Sequence, residues 1–114
     1  MTYKELWLKE RLSTKPALSE DEQLLIELLT DSSAHENDLS GAIDILEMLL
    51  SLDALLPLLD LLKDTTRPLR IRQQAARAIN KIGADYVTTE LVVIKTSVST
   101  ELRELAAIAL HPCR

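Results

Sequence analysis

The chain has 114 residues and a formal charge of -5; 46% of its residues are apolar, with 2 glycines, 4 prolines, one cysteine and no Phe. That is the length of one ordinary domain, and it is too apolar for global disorder. A single cysteine excludes an internal disulfide. No apolar run reaches the roughly 18–20 residues of a membrane span, and no basic-then-apolar leader opens the chain. A cytoplasmic setting is therefore expected.

Leu, Ala and Ile supply the hydrophobicity, which favours helices. Thr2 and Glu5 form a capping box ahead of Leu6, Trp7 and Leu12, predicting a short helix over 3–12. Ser13-Thr14-Lys15-Pro16 ends it. Ser19 and Glu22 make a second capping box for a helix over 20–30, with Leu24, Leu25, Leu28 and Leu29 on one stripe. Residues 31–38 are polar and read as the longest loop. A helix over 39–52 follows, carrying Ala42, Ile43, Leu46, Leu49 and Leu50. Asp53 is the expected cap of a helix over 54–64, and Pro57 falls near its first turn. Pro68 starts a helix over 68–82 that Gly83 closes. Asp85 caps a segment to about 96, whose Val, Thr and Ile content permits a helix or a strand. The last helix covers 100–110, and His111-Pro112 stops it.

Residues 71–79, Ile-Arg-Gln-Gln-Ala-Ala-Arg-Ala-Ile, return 31 residues later as Leu102-Arg103-Glu104-Leu105-Ala106-Ala107-Ile108-Ala109-Leu110. A helical repeat of this length predicts stacked helix pairs. The expected pairs are 20–30 with 39–52, 54–64 with 68–82, and 85–96 with 100–110. Residues 1–18 form an N-terminal helix and linker, and 19–114 the repeat domain.

Leu58-Leu59-Asp60-Leu61-Leu62-Lys63-Asp64, a turn, then Ile71-Arg72-Gln73-Gln74-Ala75-Ala76-Arg77-Ala78-Ile79 and Ile82-Gly83 resemble a HEAT repeat. The similarity is closest to the HEAT-like repeats of phycobilisome lyase subunits. It is good over 54–83, fair over 84–110, where Ser97 replaces the usual turn Asp, and poor over 20–52. The resemblance implies an all-α fold, a short right-handed α-solenoid of about three helix pairs. It also implies structural roles for Arg72 and its copy Arg103, with Asp64 the expected partner of Arg72.

Taking about 100° per residue, Arg70, Gln74, Arg77 and Lys81 share one helix stripe. The 31-residue offset carries that stripe to Glu101, Leu105 and Ile108. On a concave inner-helix face, Arg70, Gln74, Arg77 and Lys81 would meet an acidic partner segment, and Leu105 and Ile108 would anchor apolar groups. The alternative is a solvated charged face. Leu102, Leu105, Ile108 and Leu110 form a candidate end face for homo-oligomerisation. The charge is also lopsided: residues 1–60 hold 13 Asp/Glu and 4 Lys/Arg, and residues 61–114 hold 5 and 9. Such a dipole can steer a partner.

No catalytic constellation, cofactor or metal site is expected. Asp31, His35, Glu36 and Asp38 could at most hold a divalent ion weakly. His111 and Cys113 fall short of the four ligands of structural zinc. The leading expectation is a non-enzymatic protein-binding adaptor. The resemblance adds an alternative, an accessory or chaperone-like subunit related to bilin lyases. Net acidity and scarce aromatics weigh against nucleic acid.

Overall fold

A computed structural model describes residues 20–110. The helix expected over 3–12, Ser19 of the second capping pair, and His111 and Cys113 lie outside the described residues. The elements are α1 (Glu20–Leu29), α2 (Glu36–Met48), α3 (Leu55–Lys63), α4 (Leu69–Gly83), α5 (Thr88–Lys95) and α6 (Thr100–Leu110). Two 3-10 turns, Leu52–Ala54 and Ala84–Val87, precede α3 and α5. No strand occurs among the described residues, so the chain is all-helical there.

Local chemistry accounts for most boundaries. Helix α2 starts at Glu36 rather than 39, because Glu36 and Asp38 fall in its first turn, where the positive end of the helix dipole stabilises carboxylates. The polar loop shrinks accordingly. The same helix stops at Met48 without a glycine. Leu50 takes the left-handed conformation (φ 52°), Ser51 N–H donates to the Leu46 carbonyl (3.1 Å) and Leu50 N–H to that of Glu47 (3.0 Å). This is a Schellman closure. Asp53 and Asp85 do not cap helices. Each lies inside a 3-10 turn, and α3 and α5 begin after Ala54 and Val87 without side-chain caps. The ambiguous 85–96 segment is helical from Thr88, burying Leu91 and Ile94 one turn apart.

Helix α1 packs on α2, α3 on α4, and α5 on α6; α4 also lies against both α2 and α6. Helix α4 is thus covered on several sides, which is why Ile71, Arg72, Ala75, Ala76, Ala78, Ile79 and Ile82 are all buried along it. Its alanines, with Ala106 and Ala109 of α6, have no side-chain bulk to hold neighbouring helices apart. Leu39, Ile43 and Leu46 of α2 and Leu58 and Leu62 of α3 complete one continuous core.

The turns before α2, α4 and α6 share one design. Asp31 Oδ1 accepts from Ser33 N–H (2.9 Å) and Ser33 Oγ (2.7 Å), and Asp64 Oδ1 from Thr66 N–H (3.0 Å) and Thr66 Oγ1 (2.6 Å). Ser97 Oγ accepts from Ser99 N–H (3.2 Å). These are Asx- and ST-turns at a constant spacing of 33 residues. The side-chain and backbone bonds from Ser33 and Thr66 hold both carboxyls below the usual aspartate range. Arg67 ties the second turn to the first. Its Nη1 donates to the Ala34 carbonyl (3.0 Å), its Nη2 to that of Asp31 (2.6 Å), and its Nε lies 3.8 Å from Asp64 Oδ2.

Candidate interaction face

The stripe on α4 divides into two halves. Arg70 Nε donates to Glu36 Oε1 (2.8 Å), and Nη2 contacts the same oxygen. Gln74 Nε2 donates to the Ser40 carbonyl (3.0 Å) and to Asp44 Oδ1 (2.8 Å), while its Oε1 accepts from Ser40 Oγ (2.9 Å). Arg70 and Gln74 therefore reach toward α2 and fasten it to α4, with the Arg70 side chain still 59% exposed beside Glu36. Arg77 and Lys81, the second half, are exposed. Neither forms an ion pair or hydrogen bond among the described residues.

The copy of this stripe on α6 behaves like its first half. Glu101 accepts from Arg72 Nη1, and Leu105 is 1% exposed. Leu105 is therefore a core residue and no surface anchor. The 31-residue offset relates equivalent positions, but those positions point at the preceding helix of the row rather than at solvent. Ile108 is half-buried against the core, as are Leu102 and Leu110. The apolar end face expected on α6 is correspondingly reduced.

Arg72 is 2% exposed. Its Nε donates to the Leu62 carbonyl (2.9 Å), satisfying one of the open acceptors at the end of α3. Its other partner is Glu101, not the expected Asp64, whose carboxylate engages its own turn. Asp64 acts on Arg72 only at longer range: burial pushes the guanidinium pKa down and the Asp64 charge opposes that shift. Arg72 Nη2 is buried with no hydrogen-bond partner among the described residues. Arg103 does not repeat this role. It is exposed and Nη2 donates to Thr100 Oγ1 (3.1 Å), because the position that faces α6 from α4 has no following helix to face from α6 among the described residues.

In the acidic loop, Asp31 is bonded to Ser33 and Glu36 to Arg70. His35 precedes α2 and is exposed. Two of the long-range polar contacts have no counterpart in any sequence motif. Glu22 of α1 is buried and accepts from Ser51 Oγ (2.6 Å), and Glu101 holds Arg72. Both join residues 29 apart in the chain, and no local pattern announces them. Arg67 had a weaker signal, its place in the turn just before Pro68.

No protein-family description, curated protein or solved structure matches this chain. No helix among the described residues is long and apolar enough to cross a membrane.

Proposed function

We propose that the chain is a non-enzymatic protein-interaction module built as a short HEAT-like α-solenoid. Three observations support the architecture. The helices pair consecutively, α2, α4 and α6 succeed one another in contact, and the same turn recurs every 33 residues. The function rests on Arg77 and Lys81. They stand one turn apart on the central helix, exposed and outside every ion pair and hydrogen bond among the described residues, while the two cations that precede them on α4, Arg70 and Arg72, are paired with Glu36 and Glu101. A partner offering an acidic segment would meet both. Charge pairs of this kind govern orientation and association rate more than affinity.

The test is the double substitution Arg77→Glu with Lys81→Glu. Affinity purification from the source cells, quantified by mass spectrometry against the unaltered chain, should lose the specific partner. Binding of that partner to the unaltered chain should weaken as salt rises. Melting should stay unchanged, since exposed charges away from structural features shift stability by no more than about 0.5 kcal/mol. An identical set of captured proteins would overturn the proposal. Arg70 is excluded from the test because a glutamate there would oppose Glu36 and perturb the fold.

A further inference from the structure

We infer that a second surface, the groove between the starts of α3 and α5, docks a basic peptide segment of a partner protein that carries apolar anchor side chains. The groove has a volume of about 280 Å³. Its floor is Leu52, Leu55, Leu56 and Val87 with the Tyr86 ring, and its rim carries the carboxylates of Asp53 and Glu90. It differs from the Arg77–Lys81 face in position and in sign, and it stands or falls separately.

The groove follows from how the helices pack. Helix α4 packs closely against both α2 and α6, whereas α3 and α5 make at most slight contact. A gap is left where their leading 3-10 turns come near each other. Gly83 fixes one wall. Its φ of +155° disfavours any side chain, and a Cβ there would lie 2.8 Å from the Tyr86 ring. The ring therefore packs over the glycine. Leu56 points away from the Leu55, Leu58 and Leu59 stripe and is 60% exposed. Val93, one turn beyond Glu90 on α5, is exposed as well, and continues the apolar surface along that helix.

Size and charge select the occupant. Ligand and cofactor pockets run from roughly 300 to 1,000 Å³, so this groove suits one or two anchor side chains better than a whole cofactor. Asp53 and Glu90 are both exposed, and no Lys or Arg is among the lining residues. Nucleic acid, phosphopeptides and anionic lipid would be repelled. A peptide with leucine-like anchors flanked by Lys or Arg matches the floor and the rim together. Anchors in a groove with charges alongside are a recurring mode of peptide recognition.

The experiment titrates the isotope-labelled full chain with a synthetic peptide of core Lys-Lys-Leu-Leu-Lys-Lys, followed by amide chemical shifts. Two control peptides replace the leucines by serine or the lysines by glutamate. Shifts should centre on residues 52–56 and 84–90. Affinity should fall about tenfold with Leu56→Ser, and again with Asp53→Lys plus Glu90→Lys. The double reversal should also acquire affinity for the glutamate peptide. Asp53→Asn with Glu90→Gln is the gentler variant and should weaken binding severalfold. Arg77→Glu with Lys81→Glu should leave it intact, which separates this groove from the other face. The inference is overturned if no groove amide moves at millimolar peptide. It is equally overturned if the serine peptide binds as well as the leucine one, or if both charge variants bind as the unaltered chain does.

Discussion

Leu50 sits where a glycine would be easier. A left-handed conformation costs a non-glycine residue about 1–2 kcal/mol, and Leu50 is half exposed, so its side chain recovers only part of that. The neighbour explains why the turn persists. Ser51 is fully buried and donates to Glu22, which fastens the end of α2 to α1. Leu50→Gly should keep that bond and relieve the strain. After the unfolded-state entropy of glycine is subtracted, a gain of about 0.5 kcal/mol is expected in urea denaturation. Leu49→Gly, one residue earlier at an ordinary right-handed position, should lose stability. Equal effects at the two sites would remove strain as the cause.

The turns are the elements where sequence and structure agree most closely. Asp, Ser and Thr in these turns act locally, through bonds to the backbone two residues on, and Pro68 and Gly83 bound α4 through their own backbone preferences. The 3-10 turns at 52–54 and 84–87 were missed because Asp53 and Asp85 look like caps in isolation. The Arg70–Gln74 half of the α4 stripe bonds to α2 for a reason that is likewise not local. Periodicity gives the phase of a helix but not the direction of its neighbours, and Glu36, Ser40 and Asp44 become partners of Arg70 and Gln74 only once α2 lies alongside. The shared turn design makes a prediction about acid. The Asp31 and Asp64 pKa values are lowered on folding, so their contribution to stability is complete above the ordinary aspartate value. It drains away as pH falls below that value toward the lowered native one. Asp31→Ser with Asp64→Ser copies the third turn, where Ser97 already serves. The double variant should hold the turns at neutral pH and show a smaller stability loss between mildly acidic and strongly acidic solution. An unchanged acid limb in chemical denaturation would contradict the assignment.

At the scale of the whole molecule, α4 is the common neighbour of α2, α3 and α6, and its polar residues reach outward to each. Arg70 and Gln74 serve α2, Arg72 reaches the end of α3 and α6, and Asn80 Nδ2 donates to the Ala109 carbonyl (2.9 Å). Outermost helices ordinarily open first, since few contacts restrain them. Here lifting α6 away would strip Arg72 of the Glu101 carboxylate and leave it with the Leu62 carbonyl alone, which is unfavourable for a cation set into the core. Peripheral breathing is thereby coupled to the heart of the domain. Hydrogen exchange should register this. Glu101→Gln keeps the shape but removes the charge, and should speed exchange of α6 amides by about tenfold, the effect of weakening one charge-assisted bond, while α1 amides keep their rates. The Arg72–Glu101 contact thus works as a latch: the last helix stays closed because its departure would abandon a charge at the centre.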